Sequence, residues 1–460
     1  MKFFRKAIVL IAVLACAGFA YWYFEVKRGR EKEEEKQKEA LLFESTERTV
    51  EKLVIKGEDK PEIVMERVAT GEDAVWIITS PVETRGDGYA AEAIISMIKE
   101  GKREEVVWES LEKEKEYGLE EPRQYLRFYY KGDSETHGID FGIENLDRKK
   151  VFAKVAGRDK IFSVPVEFRT AVIKSLFDMR DKALAHFESE DVEKISYLSA
   201  SGAFMLAREG EEWYLLPERV KASKIRVELY TGSFTYGNFV EVEEEKGENL
   251  EKYGLDKPRM IVNLRMKDES NYMFIVGSSV SVGDSEYYYA TRSTDGLVFQ
   301  VKPDVVSGLA KTAFELRDRK IFDFEDAEVS AMTLNRKDLS FPLIREEDEW
   351  KFQDTGEKIE REYMVDSIMR GIKNSEYEVI EPVKREDEIW GETGIENPVY
   401  EVNITFNSGR APLTVQMTGM NEETSMLWMT ADNGDTVCYT SGYFMSNFPT
   451  ERDDLLKWEM

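Results

Sequence analysis

The sequence predicts an α+β protein made of three tandem repeats, each an antiparallel sheet with helices on one face, after an N-terminal transmembrane helix. Two observations carry this reading. A set of unrelated landmarks recurs three times at a spacing close to 137 residues, and an uncharged apolar run opens the chain behind three basic residues.

The landmarks keep their order and their distances. Trp76, Trp213 and Trp350 are separated by 137 and 137 residues, and Gly118, Gly254 and Gly394 by 136 and 140. These glycines lie in Tyr117-Gly118-Leu119-Glu120-Glu121-Pro122, Tyr253-Gly254-Leu255-Asp256-Lys257-Pro258 and Thr393-Gly394-Ile395-Glu396-Asn397-Pro398. Arg180-Asp181, Arg317-Asp318 and Arg452-Asp453 follow at 137 and 135, and the turn glycines Gly157, Gly296 and Gly434 at 139 and 138. Solenoid repeats run roughly 20–50 residues, so a period this long marks domain-sized units able to bury their own cores. The expected organisation is a cytoplasmic tip and anchor over 1–25, a charged stalk over 26–46, and units over 47–188, 189–325 and 326–460.

Within a unit, alternation and helical spacing set the elements. Short alternating stretches open each one, at Glu51–Ile55, Glu193–Tyr197 and Glu328–Met332. A second strand reaches the tryptophan. A helix follows, with Ile94, Ile95, Met97 and Ile98 on one face in the first unit and Tyr363, Met364, Ile368, Met369 and Ile372 in the third. The Gly-Leu-x-x-Pro element then ends a helical turn on a left-handed glycine, with proline entering an extended segment. Consecutive hairpins come next; Asp432-Asn433-Gly434-Asp435 has the Asn-Gly pair of a two-residue turn. A final helix, Phe168 to Ala185 in the first unit, closes the unit.

The anchor rests on Lys2, Arg5 and Lys6, followed by Ala7 to Phe24 without a charge. Eighteen residues rise ~27 Å as a helix, enough to cross a hydrocarbon core. Leu14 sits inside the run, and Tyr21, Trp22 and Phe24 suit the membrane–water boundary. Basic residues on the N-terminal side predict a cytoplasmic N-terminus and an extracytoplasmic bulk, in a single-pass cell-membrane protein. Two alternatives use the same residues. Cleavage after Ala15-Cys16-Ala17 would make the run a signal peptide, and Val13-Leu14-Ala15-Cys16 loosely fits a lipobox. All three leave the bulk outside.

Charge and residue inventory exclude several functions. The formal net charge is −27, and since the basic N-terminus carries no acid, the remainder is more acidic still. Such a surface repels phosphate backbones, so no nucleic acid is expected as a partner. Only two cysteines exist; Cys16 lies in the anchor, so Cys438 has no intramolecular disulfide partner and reads as a buried, inert thiol on a strand. The two histidines, His137 and His186, show no metal-ligand spacing, and no P-loop, nucleophile elbow or calcium loop is present. No catalytic residue, cofactor site or metal site is therefore expected. The tryptophans read as core residues, with an aromatic ligand platform as the alternative. The Arg-Asp pairs read as ties between a helix end and the sheet or the next unit, with a partner or anion contact as the alternative.

At the tryptophans, the Tyr-Gly-Leu-x-x-Pro element and Leu316-Arg317-Asp318-Arg319, the chain resembles the bacterial family called domain of unknown function 4340. The resemblance spans nearly the whole chain, including anchor and stalk. The third unit departs from it: Thr393 replaces the tyrosine, and no proline follows Trp350 as Pro81 follows Trp76 and Pro217 follows Trp213. The resemblance implies a membrane-anchored accessory protein at an ABC-type envelope transporter, and it assigns no catalytic residues. Two functions stay open on the sequence. One is a non-catalytic scaffold with a protein partner in the envelope. The other is an extracytoplasmic ligand-binding protein or hydrolase with a cleft between units.

Overall fold

The computed structural model describes residues 14–15, 18–19, 21–23, 41–43, 48–70, 73–108, 110–431 and 434–456. Of the expected anchor residues, Leu14, Tyr21 and Trp22 are helical and exposed, while Ala7 and Phe24 lie outside the described residues. Most of the stalk also lies outside them, and its described end is not stalk: Leu42 and Phe43 are buried in the core under the first sheet, and the Leu42 amide donates to the Gly101 carbonyl at 2.9 Å. No helix among the described residues is long and apolar enough to cross a membrane.

Three mostly antiparallel sheets and a smaller number of helices make an α+β fold. The first sheet holds β1 (Val50–Lys56), β2 (Ile63–Thr70), β3 (Asp73–Ser80), β4 (Thr84–Arg85), β5 (Glu105–Trp108), β6 (Gln124–Tyr130), β7 (His137–Glu144), β8 (Lys150–Val155) and β9 (Ile161–Pro165). Their order is β4-β3-β2-β1-β6-β7-β8-β9-β5. The second sheet holds β10 (Val192–Ser199), β11 (Gly202–Glu209), β12 (Glu212–Leu216), β13 (Val220–Ala222), β14 (Phe239–Glu244), β15 (Met260–Met266), β16 (Asn271–Val282), β17 (Ser285–Arg292) and β18 (Val298–Val301). They lie in the order β13-β12-β11-β10-β15-β16-β17-β18-β14. The third holds β19 (Val329–Arg336), β20 (Leu339–Glu346), β21 (Glu349–Phe352), β22 (Val383–Lys384), β23 (Tyr400–Phe406), β24 (Leu413–Met417), β25 (Met426–Ala431) and β26 (Thr436–Ser441). Its order, β21-β20-β19-β23-β24-β25-β26-β22, matches the other two strand for strand, less the outermost two- or three-residue strand.

One connection gives this order its character. After the first meander the chain stands at one edge of the sheet, and the next strand, β5, β14 or β22, lies at the opposite edge. The long helix between them makes that passage: Gly88–Glu100, Lys224–Tyr236 and Glu362–Lys373. Asp87 caps the first of these by accepting the Ala90 amide at 3.0 Å. Its buried face is Ala91, Ile94, Ile95 and Ile98, packed in one core with Leu53, Ile78, Leu126 and Phe128 of the strands. The third helix buries Met364, Val365, Ile368, Met369 and Ile372; Tyr363, expected on that face, is exposed. Strands bury alternate residues, as Leu126, Phe128 and Tyr130 do on β6 and Val402, Ile404 and Phe406 on β23.

Several local expectations hold, and some need correction. Gly118, Gly254 and Gly394 have φ of 71°, 66° and 73°, the left-handed region. Pro122, Pro258 and Pro398 each stand two residues before a strand, β6, β15 and β23. Gly157, Gly296 and Gly434 also have positive φ, while Asp432 and Asn433 lie outside the described residues. Cys438 is buried on β26. The tryptophan strand is the third of its meander, not the second, because β2, β11 and β20 come between. The single closing helix expected over 168–185 is two short helices, Val166–Val172 and Leu176–Met179, followed by extended chain. Ser175 and Asp178 form a capping box that starts the second one afresh.

By compactness the chain divides into two parts: Met1–Glu188 with Gly232–Ile261 and Tyr272–Ala310, and Ser189–Thr231 with Val262–Asn271 and Lys311–Met460.

Candidate functional site

The tryptophans are core residues, exposed by only 3, 2 and 1% for Trp76, Trp213 and Trp350. Each pairs across its ladder with an arginine, Arg67, Arg208 and Arg345. The Trp76 indole N–H donates to Glu92 at 3.4 Å, and that of Trp350 to Asp366 at 3.0 Å. A buried indole N–H needs such a partner. The Gly-Leu-x-x-Pro turn packs against a bulge in the neighbouring strand. The Ile143 amide donates to the Tyr117 carbonyl at 2.9 Å, and the Ser278 hydroxyl to the Tyr253 carbonyl at 3.0 Å. A side chain on Gly142 or Gly277 would strike those same carbonyls at 2.0 and 2.2 Å. These bulge glycines recur at the motif's spacing, and sequence reading missed them.

The Arg-Asp pairs lie on an extended segment that ties two edges. In the first compact part, Gly86 and Arg180 form an antiparallel bridge, and the Asp181 amide donates to the Arg85 carbonyl at 3.0 Å. Further along, Ala183 bridges Asn238, and the Phe239 amide donates to the Lys182 carbonyl at 3.1 Å. Arg180, 1% exposed, donates to Glu245 at 2.6 Å. Asp181 faces Arg85 at 3.3 Å and His186 at 3.3 Å. Burial pushes the His186 imidazole pKa down, against Asp181, which raises it.

The second compact part holds the corresponding segment. Ala222 bridges Arg317, Lys320 bridges Glu376, and the Asp318 amide donates to the Lys221 carbonyl at 3.0 Å. Arg317 pairs with Glu381 and Asp318 with Lys221. Arg452 instead turns back on Asp354, with bonds of 2.9 and 3.1 Å, while its guanidinium covers Phe352. Asp453 begins the short helix Asp453–Leu456.

The two segments differ most where the long helix meets them. In the second part, Arg226 on the long helix donates to Glu376 and, at 3.1 Å, to the Arg317 carbonyl, with Arg319 also 3.7 Å from Glu376. The matching residues in the first part are Ala90, Asn238, Arg180 and Lys182. Alanine cannot reach across, asparagine brings no charge, and the Lys182 ammonium folds back to the Arg180 carbonyl at 3.1 Å. A groove of about 800 Å³ opens there, lined by Trp76, Arg85, Tyr89, Glu92 and Lys182 among others. Tyr89 is 93% exposed beside it. Its cations Arg67, Arg85 and Lys182 are balanced by Asp87, Glu92 and Asp181. Such a lining, charge-balanced with aromatic surface, suits a polar side chain or a small polar molecule. The groove is the candidate site, and of the residues that sequence singled out it gathers Trp76 and Asp181 only.

His137 lies elsewhere, beside Asp133 and Glu135 at the turn between β6 and β7. No metal-ligand spacing is expected of this histidine from sequence; the turn brings one donor atom of each of the three residues within 4.8 Å of the others. Asp133 is held down to about 2 by the Glu135 amide and by Arg48.

A search of curated proteins finds no match. Among solved structures, the crystal structure of the DNA polymerase III subunit beta from Pseudomonas aeruginosa aligns with 88% of this chain and 98% of its own at 11% identity. The TM-score is 0.11, and nothing rests on that likeness. The family profile described as Domain of unknown function (DUF4340) matches residues 76–231 and 221–389. These segments hold all three tryptophans, both Tyr-Gly-Leu-x-x-Pro turns, the first two Arg-Asp pairs and most of the groove lining, and this chain belongs to that family.

Proposed function

We propose that this protein is a non-catalytic scaffold made of three copies of one unit, over 47–188, 189–325 and 326–460. A stalk over 26–46 and an N-terminal membrane helix over 1–25 hold it outside the cytoplasm, where it serves a protein complex of the envelope. An ABC-type transporter is the partner that the family resemblance favours. Matching strand orders and the two corresponding tie segments support the repeat. The observation that carries the scaffold reading is the long helix Lys224–Tyr236, which is apolar on both sides. Val227, Tyr230 and Phe234 are buried, while Ile225, Leu229 and Tyr236 are 70, 69 and 84% exposed. A surface helix ordinarily turns polar residues outward. The matching positions for Leu229 on the other long helices are Ala93 and Ser367, while those for Ile225 are the exposed Tyr89 and Tyr363, so it is Leu229 that widens the outward apolar face on this helix.

The test is co-purification of the tagged, detergent-solubilised full chain with its membrane partners. Wild type should bring a defined membrane complex, and Ile225→Glu with Leu229→Glu should lose it while melting within a few degrees of wild type. Retention of the same complex by the double variant would remove the helix from the interface. The groove of the first compact part favours a second reading, an extracytoplasmic ligand-binding protein. Ala90 and Asn238 leave open what Arg226 and Glu376 fill.

A further inference from the structure

The turn between β6 and β7 reads Gly132-Asp133-Ser134-Glu135-Thr136-His137. Asp133 and Glu135 stand in the turn itself, where the Glu135 amide donates to Asp133 Oδ1 at 3.0 Å, and His137 opens β7. One donor atom from each lies within 4.8 Å of the others. His137 Nε2 stands 3.8 Å from Asp133 Oδ2. That is too long for a hydrogen bond, and close to the ~3.4 Å between two donors held about 2.1 Å from a tetrahedral ion. A second observation is independent of the carboxylates. His137 Nε2 is shut off from solvent and has no hydrogen-bond partner among the described residues. Its ring is fixed by Phe128 and Tyr130, with centroids 5.5 and 4.9 Å away. An imidazole nitrogen closed off from water without a partner is unfavourable unless something binds it.

Arg48 supplies positive charge at this spot. Its Nη2 donates to Asp133 Oδ2 at 2.5 Å, and its guanidinium carbon lies 4.4 Å over the Tyr130 ring. We propose that Asp133, Glu135 and His137 bind one divalent transition-metal ion, zinc in the first instance, and that Arg48 holds the cation's place when the ion is absent. One imidazole and two carboxylates suit a borderline ion better than calcium or magnesium, which take oxygen donors. On binding, Arg48 yields Asp133 Oδ2 and keeps its rest on Tyr130. Three protein donors leave one tetrahedral position to water. This site is independent of the scaffold reading.

Calorimetry on the full chain in detergent, stripped with EDTA and dialysed, tests it with zinc and calcium chlorides as the probes. Wild type should take up one zinc per chain and ignore calcium. His137→Gln should bind zinc at least about tenfold more weakly, and Arg48→Gln should bind it more tightly than wild type. Copper(II) bound in place of zinc should show nitrogen coupling in its electron paramagnetic resonance spectrum, lost in His137→Gln. Should that variant melt early in EDTA, Glu135→Gln, at an exposed position, takes its place in the calorimeter. Absence of zinc uptake, or equal uptake by wild type and both ligand variants, overturns the site. Equal affinity of Arg48→Gln and wild type overturns the place-holding role of Arg48.

Discussion

Replacing Gly254 tests whether the thrice-recurring turn is a fold determinant. At φ 66° an L-residue is strained, which costs roughly 1–2 kcal/mol, and less for asparagine than for a β-branched side chain. Space adds a second penalty. A Cβ there would lie 3.0 Å from the Ser278 amide nitrogen and 3.1 Å from its Cβ, so backbone must move. Overpacking of that kind costs about 1–3 kcal/mol. Gly254→Val should therefore lose about 3 kcal/mol, and Gly254→Asn visibly less. Gly394 separates the two penalties: its φ is 73°, but the nearest atom to an added Cβ is Thr418 Cγ2 at 4.0 Å. Gly394→Val should lose only the conformational part, about 1–2 kcal/mol. The assay is urea unfolding of the solubilised full chain. A chain with three sheets need not unfold in one step, so the midpoint of the transition that moves is the quantity compared. Equal, negligible shifts for valine and asparagine at Gly254 would refute the turn argument. A loss at Gly394→Val as large as at Gly254→Val would refute the steric part.

Three further outcomes follow. Arg226→Ala should lower stability by about 1 kcal/mol, as expected of a partly exposed ion pair, while Ala90→Arg with Asn238→Glu should fill the open groove and raise the melting temperature; a lowered one would show the groove is not a vacated ion-pair site. His186 has its folded-state pKa pushed below 6.5 by burial. Its contribution is therefore full above the unfolded pKa and lost as pH falls through the folded one. Replacing it with glutamine should flatten the fall in stability below about pH 6.5, and an unchanged pH profile would count against this. A reporter active only outside the cytoplasm should work when fused after Met460, and weaken when Lys2, Arg5 and Lys6 become acids; an inactive reporter on well-expressed native protein would reverse the topology.

Much of the fold was legible because turn chemistry is local. Glycine at positive φ four residues before a proline, and tryptophan within an alternating strand, announce themselves in a few residues, and each occurs three times. What escaped was of two kinds. The capping box at Ser175 and Asp178 is a four-residue signal inside a run whose helical period was read as continuous, so one long helix was expected where there are two short ones. The groove depends on Ala90 and Asn238, which no local pattern relates; it becomes visible only when Arg226 and Glu376 show what is missing. His137 gives no signal of its own because Asp133 and Glu135 lie in the turn before β7, where no sequence period places their side chains beside it.

The passage of each long helix from one sheet edge to the other has a consequence for synthesis. The meanders β1–β4 and β6–β9 are local and can form as they emerge, but they join through β1 and β6, where Val50 pairs with Tyr130. Closing a loop some eight times longer than a ten-residue one costs about 2 kcal/mol more in chain entropy, so that ladder forms late. Until it does, β1 presents a free hydrogen-bonding edge. Later in the same chain, β15 and β23 hold the corresponding place in sheets of the same order, and each has the shape of the awaited partner. Exchange of half-sheets among the three sheets is thus the misfolding route that this strand order leaves open. Distinct residues on β6, β15 and β23 then matter less for the finished sheets than for keeping β1, β10 and β19 each waiting for its own mate.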